Sequence, residues 1–209
     1  MIALFGGTFD PTHLGHINMA EQCVNELNLD KLNFLPCAMP VHKAQPGITD
    51  SHRLAMLTLA TRHNAKFSID HRELLRQGPS YSLLSLQECR AAAPHTPLLF
   101  LMGMDSFNSL PSWYQWQDII QLCHIVVYQR PGETLASTPQ IAQYLAQART
   151  SERDLLAQKQ GGLCYFLAGD TFDAASSDIR KRIKNRENTE HLLDNEVRDY
   201  IDENHLYAE

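Results

Sequence analysis

Apolar residues follow two alternating patterns along this chain. Short runs rich in β-branched and aromatic residues alternate with longer segments in which apolar residues recur at helical spacing. Several of the short runs are apolar almost throughout, as parallel strands are when helices cover both faces of a sheet. The pattern therefore predicts an α/β fold built on a doubly wound parallel sheet with helices on both faces.

The runs also locate the individual elements. The predicted strands are Ile2 to Phe5, Leu32 to Pro36, Lys66 to Asp70, Leu98 to Gly103, His124 to Gln129 and Cys164 to Leu167. The predicted helices are His16 to Leu27, Ser51 to His63, Ser82 to Ala92, Trp116 to Leu122, Ile141 to Ala148, Ser177 to Lys184 and Asn195 to Asn204. Because α/β proteins bind ligands at strand ends, the segments that follow the strands are the candidate sites.

The length of 209 residues fits a single domain that spans residues 1–209. Residues 133–160 are polar and rich in Gln and Ala, which predicts a helical excursion within that domain, and residues 185–209 are expected to form a C-terminal helical segment. Hydrophobic residues make up 44% of the chain and charged residues 20%, a balance that excludes an intrinsically disordered protein.

The charge of the chain is negative overall and positive in one place. With 18 Lys and Arg against 24 Asp and Glu, the formal net charge is −6, so the surface as a whole is not expected to bind nucleic acid or a membrane. Five of the 18 basic residues lie within residues 179–186. The sequence shows no basic leader, no long apolar run and no CxxC pair among its five cysteines, which predicts a cytoplasmic protein without disulfides or structural zinc.

The strongest motif is GGTFDPTHLGH, residues 6–16, between the first predicted strand and the first predicted helix. Gly6 and Gly7 allow a tight turn and a close approach to a ligand, and the N-terminus of the following helix offers unpaired N–H groups. His13 and His16 lie three residues apart and are expected to face the same ligand. A simple turn with two surface histidines is the alternative interpretation, but the combination favours phosphate binding.

This motif resembles the signature of the HxGH nucleotidyltransferase superfamily, with His13, Gly15 and His16 at the signature positions. Members of that superfamily include adenylyltransferases and class I aminoacyl-tRNA synthetases. The resemblance implies a Rossmann-like fold in which this loop holds a nucleoside triphosphate.

A second signature of the superfamily, ISS(T/S)xIR, is matched in part by AASSDIR at residues 174–180. Ser176, Ser177 and Arg180 fit this signature, whereas Ala175 replaces a serine. Ser177 followed by Asp178 also predicts a helix start, where serine hydroxyls and Arg180 would hold the β- or γ-phosphate. A capped surface helix with basic residues is the alternative.

Segments in the middle of the chain carry candidate groups for a second substrate. Residues 103–116, GMDSFNSLPSWYQW, follow a strongly apolar strand, and Trp113 there could stack on a heteroaromatic ring or simply close a core. Residues 79–82, PSYS, open a helix whose N–H groups could bind a small carboxylate or form only a cap. Residues 40–45, PVHKAQ, could close over phosphates as a lid.

In their order along the chain, these motifs resemble those of the bacterial nicotinate mononucleotide adenylyltransferases over nearly the full length. The resemblance implies transfer of AMP from ATP to nicotinate mononucleotide, which gives nicotinate adenine dinucleotide and pyrophosphate in NAD biosynthesis. It also implies Mg²⁺ bound mainly through the ATP phosphates, because the sequence shows no dedicated carboxylate cage and no protein ligand set for a metal is expected.

We therefore assign the candidate residues by role. The predicted catalytic residues are His13 and His16. The predicted ATP-binding residues are Gly6, Gly7, Thr8, Phe9, Gly15, Gly103, Asp105, Ser176, Ser177 and Arg180. The predicted residues for the mononucleotide are His42, Lys43, Tyr81, Ser82, Trp113, Tyr114 and Arg130.

Other functions of the same pattern stay open at this point. The acceptor could instead be nicotinamide mononucleotide or phosphopantetheine, and a non-catalytic nucleotide sensor would use the same phosphate loop. The sequence does not indicate an oligomeric state.

Overall fold

A single parallel β-sheet organises the protein. The computed structural model describes residues 1–38, 47–136, 138–170 and 172–208. Within those residues the sheet has seven strands in the order β3-β2-β1-β4-β5-β7-β6, and every neighbouring pair is parallel. The strands are β1 (Ile2–Gly7), β2 (Leu32–Pro36), β3 (Phe67–Ile69), β4 (Leu98–Gly103), β5 (His124–Tyr128), β6 (Arg149–Thr150) and β7 (Cys164–Phe166).

Helices connect the strands and cover both faces of the sheet. They are α1 (Leu14–Glu26), α2 (Asp50–Thr61), α3 (Arg72–Leu75), α4 (Ser82–Ala92), α5 (Met104–Ser109), α6 (Trp116–Leu122), α7 (Pro139–Ala148), α8 (Asp154–Gln158), α9 (Ser176–Lys184) and α10 (Asn195–Glu203). A 3₁₀ turn, Leu110–Ser112, follows α5. The predicted α/β fold with a doubly wound parallel sheet is confirmed.

The central strands bury residues on both faces, which explains why their sequences are apolar almost throughout. In β1, Ala3 and Phe5 pack with the cluster around α1, whereas Leu4 packs with the cluster around α4. In β4, Leu101 belongs to the first of these clusters and Phe100 to the second. Side chains alternate between the faces because successive residues of a strand point to opposite sides.

The strand order reverses direction between β1 and β4. After β1 the chain winds outward through β2 and β3, and it then returns to β4 on the other side of β1. The loops that leave the carboxyl ends of β1 and β4 therefore diverge and leave a crevice between them. The motif at residues 6–16 and the segment at residues 103–116 both begin at this crevice.

The C-terminal helices form a third apolar cluster with α2. Ile179 of α9, Val197 and Ile201 of α10 and Met56 of α2 are all buried in it. The main-chain N–H of Leu14 also donates to the carbonyl of Leu192 at 2.9 Å. This packing holds the second motif against the start of α1.

Several short elements differ from the predictions. The strand β6 and the helices α3, α5 and α8 were not predicted, because elements of two to six residues are too short to show a periodicity. Residues 133–160, expected to be a helical excursion, contain α7, α8 and the edge strand β6. Helix α1 begins at Leu14 rather than His16, because His13 is its N-cap residue.

The helices are short. The longest helix in the described ranges is α1, with 13 residues, and none there has both the length and the apolar character needed to cross a membrane.

Replacing Leu101 with alanine tests the central core. Leu101 is 0% exposed, so Leu101→Ala is expected to lower the free energy of unfolding by ~2–5 kcal/mol. The control is Leu75→Ala, since Leu75 is 83% exposed and its truncation should change that free energy by less than ~0.5 kcal/mol. Urea unfolding of both variants measures the difference, and equal effects would contradict the described core.

Candidate active site

Two adjoining hollows open at the crevice between β1 and β4. The first, which we call the polar cleft, encloses about 1260 Å³ including its mouth and is lined by both histidines of the first motif and by Arg130 and Arg180. The second, the aromatic pocket, encloses about 700 Å³ and is lined by Tyr81, Trp113 and Tyr114 among others. The two hollows share the wall formed by Gly6, Gly7, Thr8 and Ser106.

The two glycines at the end of β1 are required by the protein's own packing. A Cβ on Gly6 would lie 2.8 Å from Cζ of Phe100, and one on Gly7 would lie 2.8 Å from Cζ of Phe9. Both rings are 1% exposed, so neither can move aside at low cost. The glycines were predicted to allow a ligand to approach, and the structure adds a packing reason for each.

Phe9 fixes the loop that follows β1. Its φ of 51° lies in the left-handed region, which is uncommon for a bulky residue and is held here by the surrounding packing. Its ring meets Phe5, Phe34 and His16 at centroid distances of 5.4, 5.6 and 5.1 Å. The loop is therefore anchored in the core while its backbone lines both hollows.

The turn at Asp10 is held by the C-terminal part of the chain. The Asp10–Pro11 peptide bond is cis, and Asp10 is buried. The hydroxyl of Tyr207 donates to Asp10 Oδ1 at 2.6 Å, and Arg180 donates to the Asp10 carbonyl at 2.6 Å. Burial raises the pKa of Tyr207, and the Asp10 carboxylate raises it further, so Tyr207 stays protonated and able to donate.

The two histidines stack at the start of α1. Their ring centroids are 3.7 Å apart, and the main-chain N–H of His13 donates to Nδ1 of His16 at 3.3 Å. Because Nδ1 of His16 accepts this bond, the proton of the neutral ring lies on Nε2. Both side chains line the polar cleft, as the spacing of the motif predicts.

His13 is held neutral. Burial lowers the pKa of His13 from its ordinary 6.5 to about 3, and the nearby charge of Arg130 lowers it further in the same direction. Its Nδ1 is buried and has no hydrogen-bond partner among the described residues. This nitrogen lies on the side of Gly15, whereas the ring as a whole lines the polar cleft.

The second motif enters the cleft at the N-terminus of α9. Ser176, Ser177 and Arg180 all line the polar cleft. Ser177 was predicted as the helix start, but α9 begins at Ser176 and its N-cap residue is Ala175, which makes no side-chain cap. The Ser176 hydroxyl donates to the carbonyl of Pro11 at 3.1 Å, so it ties the second motif to the first.

Arg130 enters the site from the strand beside β4. It was assigned to the mononucleotide, but it lines the polar cleft beside Gly103 and Asp105 and not the aromatic pocket. Its guanidinium donates to the carbonyl of Ala174 at 3.0 Å and lies 3.7 Å from Asp105 Oδ1 and 3.4 Å from Glu133 Oε1. Arg130 follows β5, whose carboxyl end adjoins that of β4, and this adjacency explains its position.

Aromatic residues from two segments form the second hollow. The rings of Tyr81 and Tyr114 lie 4.7 Å apart, and Trp113 meets Phe100 edge-on at 6.3 Å. Trp113 is partly buried against the core, so it closes that core and lines the pocket at once. Helix α4 begins at Ser82, as predicted, and its N-terminus faces this pocket.

His42 and Lys43 lie outside the described residues. The other predicted site residues lie in one of the two hollows, with the exception of Gly15, which packs against His13 and Ala174.

Several residues of the site were not predicted from the sequence, and three of them are buried groups with polar atoms: Arg53, Glu73 and Tyr207. Arg53 is 1% exposed and hydrogen-bonds to the loops after β1 and β2, and Glu73 is 3% exposed and lines the aromatic pocket. Tyr207 is the third. Arg53 shares the face of α2 that carries Met56 and Leu57, and a charge on an apolar helical face is a signal that could have been used. No such signal marks Glu73 or Tyr207.

The class of protein follows from comparison with known families. Residues 4–182 match the family described as cytidylyltransferase-like, a range that contains the phosphate loop and the whole of the second motif.

Curated relatives narrow this class. A protein of Yersinia pestis (strain Pestoides F) named "Probable nicotinate-nucleotide adenylyltransferase" is 37% identical over 209 residues, which cover 99% of this chain and 95% of the relative. One of Aeromonas salmonicida (strain A449) with the same name is 37% identical over 206 residues, with 99% and 96% covered. This chain belongs to the nicotinate-nucleotide adenylyltransferases of the cytidylyltransferase-like family.

A solved structure shares the fold. The Plasmodium falciparum nicotinic acid mononucleotide adenylyltransferase complexed with NaAD superimposes with a TM-score of 0.76 at 17% identity, covering 99% of this chain and 96% of the other. At this identity the likeness concerns the fold alone.

The neutral state of His13 predicts how stability depends on pH. In the unfolded chain His13 binds a proton near pH 6.5, whereas in the folded protein it stays neutral down to about 3. The free energy of unfolding that depends on this histidine is therefore fully present above pH 6.5. It is lost as the pH falls from 6.5 toward 3, because the unfolded state binds a proton that the folded state does not.

Removing this histidine should reduce the pH dependence of the free energy of unfolding. His13→Gln is expected to lose less stability than the original protein between about pH 7 and pH 5, as measured by urea unfolding. His95→Gln is the matched control, since His95 is exposed. If His13→Gln and the original protein show the same slope, the buried neutral state is wrong.

Proposed function

We propose that this chain transfers AMP from ATP to nicotinate mononucleotide and forms nicotinate adenine dinucleotide and pyrophosphate in NAD biosynthesis. One observation carries the proposal: a cleft lined by histidines and arginines adjoins an aromatic pocket, and the two share the wall formed by residues 6–8. Two nucleotides bound in these hollows would meet with their phosphates at that wall. The full-length similarity to the named relatives supports the same reaction.

The chemistry needs no covalent intermediate on the protein. A phosphate oxygen of the mononucleotide attacks the α-phosphorus of ATP and forms the new P–O–P bond. The bond between the α-phosphorus and the oxygen that bridges to the β-phosphate breaks, and its electron pair leaves with pyrophosphate. Catalysis by this chain then consists of aligning the two phosphates and stabilising the charge that develops between them.

His16 and His13 act on the reacting phosphates as hydrogen-bonding groups. The main-chain contact of His13 keeps the proton of His16 on Nε2, where it can be donated to a phosphate oxygen. His13 contributes a neutral ring that lines the cleft. The stacked geometry fixes both rings before substrate binds, so little reorganisation is needed during the reaction.

The remaining groups of the polar cleft suit ATP. Arg180 and Ser177 would hold the β- and γ-phosphates at the N-terminus of α9, with Ser176 keeping that terminus against the phosphate loop. Arg130 adds positive charge to the same cleft, and Asp105 would accept a ribose hydroxyl. The backbone that surrounds the triphosphate would come from Gly6, Gly7, Thr8, Phe9, Gly15 and Gly103.

The aromatic pocket suits the pyridine ring and its carboxylate. Trp113 and Tyr114 offer ring faces, and a positively charged pyridinium gains cation–π attraction from such faces. The N-terminus of α4, with Tyr81 and Ser82, offers main-chain N–H groups to the carboxylate. His42 and Lys43 stay in the proposal as contacts of the mononucleotide phosphate.

Mg²⁺ fits this site as an ion carried by ATP. Within the described ranges no group of three or more His, Cys, Asp or Glu side chains could hold a metal ion. Asp105, whose side chain is 47% exposed, is a carboxylate that lines the cleft. Mg²⁺ bound to the phosphates would neutralise part of their charge.

We also propose a cytoplasmic location, because the reaction uses ATP.

The reaction itself is tested by substrate comparison. Purified protein with ATP, Mg²⁺ and nicotinate mononucleotide should release pyrophosphate and form the dinucleotide. Nicotinamide mononucleotide should react more slowly, and phosphopantetheine should not react. ATP binding without any turnover would indicate a nucleotide sensor, and a preference for the amide would overturn the choice of substrate.

Removing His16 tests the catalytic assignment. His16→Ala is expected to lower kcat by ~10²–10³-fold, because a donor to the developing phosphate charge is lost. The variant should still unfold cooperatively well above the assay temperature. His95→Ala serves as the control and should keep full activity, since His95 is exposed and lies in neither hollow. A kcat for His16→Ala within about twofold of the original would exclude this role.

A further inference from the structure

Arg53 is a buried cation that the reaction described above does not use. It lies in the second turn of α2 and is 1% exposed. Its NH1 donates to the carbonyl of Thr8 at 2.6 Å, and its NH2 donates to the carbonyl of Cys37 at 2.6 Å and to Asp50 Oδ1 at 2.5 Å. Its Nε is buried without a partner in the described ranges.

This burial is expensive for a purely structural group. Asp50, a carboxylate with which it pairs, has a side chain that is 48% exposed, so the negative charge of the pair lies half in solvent. Removing a guanidinium from water costs several kcal/mol, and well-packed apolar residues would stabilise α2 at least as well. The positions of the two carbonyls that accept from Arg53, those of Thr8 and Cys37, give a reason for a charged side chain here.

The two acceptors are the carbonyls that follow adjacent strands. Thr8 comes directly after β1, and Cys37 comes directly after β2. Both residues line the aromatic pocket, and Thr8 also lines the polar cleft. The planar fork of an arginine can hold two carbonyls in one fixed geometry, which a lysine cannot do.

When the carbonyl of a peptide is held in place, the direction of the N–H in the same peptide is fixed as well. The C=O of one residue and the N–H of the next belong to the same trans peptide and point in opposite directions. The plane held at Cys37 shows the effect, because the N–H of Ala38 points away from Arg53 and donates to Ser80 Oγ at 3.1 Å. Ser80 lines the aromatic pocket next to the start of α4.

The plane held at Thr8 fixes the direction of the Phe9 N–H. The N–H of Phe9 must point away from Arg53, and Phe9 lines the polar cleft. No hydrogen bond joins this N–H to another residue in the part of the chain that the structure describes. An N–H without a partner, on a residue that lines the cleft, is a natural donor to an anion bound there.

We propose that Arg53 is a positioning residue that sets both substrate subsites at once: through Thr8 it aims the Phe9 N–H at a phosphate in the polar cleft, and through Cys37 and Ala38 it holds Ser80 at the aromatic pocket. This inference rests on the proposed adenylyl transfer. It goes beyond that reaction by making one buried side chain responsible for the alignment of both substrates.

Substituting Arg53 separates this role from stability. Arg53→Lys keeps the charge and loses the fork, and Arg53→Met keeps the length and loses the charge. Both are expected to lower kcat/KM for ATP and for nicotinate mononucleotide by ~10- to 100-fold, with a fall in kcat at saturation, because small misalignments of reacting phosphates are costly. Arg62→Met on the same helix is the control, since Arg62 is half exposed and pairs with Glu196 at the surface, and it should stay within about twofold.

A role in folding alone gives a different result. In that case the Arg53 variants would melt earlier but would keep both KM values and kcat in assays well below their melting temperatures, and this result would overturn the inference. If neither variant folds, Ser80→Ala decides, because it removes the acceptor of the Ala38 N–H, together with the hydrogen bond that Ser80 makes to Glu73. The inference expects a higher KM for the mononucleotide and an unchanged KM for ATP, and two unchanged KM values would contradict it.

The test also distinguishes this inference from the proposed function. If the original protein turns over neither mononucleotide, the proposed function fails. ATP binding by calorimetry still tests Arg53 then, since the Arg53 variants should bind ATP at least ~10-fold more weakly than Arg62→Met does. Equal ATP affinities would contradict the inference.

Discussion

The parallel pairing of β1 with a neighbour on each side is the constraint on which this structure depends. Because β1 pairs with β2 on one side and β4 on the other, the chain must leave the carboxyl end of β1 toward one face and that of β4 toward the other. The resulting crevice positions the phosphate loop and both hollows. The buried apolar clusters on the two faces of the sheet keep this arrangement rigid.

The sequence was sufficient for the elements with a strong pattern and for the residues in recognisable motifs. Strands β2 and β4 and helices α4 and α6 were predicted with the observed bounds. Short elements such as α3 and β6 were missed because they contain too few residues for periodicity to appear.

The residues that sequence reasoning missed share a physical cause. Arg53 and Glu73 act through burial, and burial depends on the elements that pack around a residue, not on its neighbours in the chain. Arg130, predicted to bind the mononucleotide, lines the polar cleft and not the aromatic pocket, because it follows β5, whose carboxyl end adjoins that of β4. The excess of acidic residues was equally uninformative, since the positive potential of the cleft comes from a few arginines and from helix N-termini.

The bond between Tyr207 and Asp10 joins residues 197 positions apart. Contacts of such long sequence separation form late in folding, because a large loop must close before they contribute any energy. The turn in the phosphate loop therefore acquires this partner only after nearly the whole chain has been synthesised and α10 has docked. A ribosome-bound chain that lacks this segment can build most of the sheet, yet its nucleotide site stays unfinished until the C-terminal helices arrive.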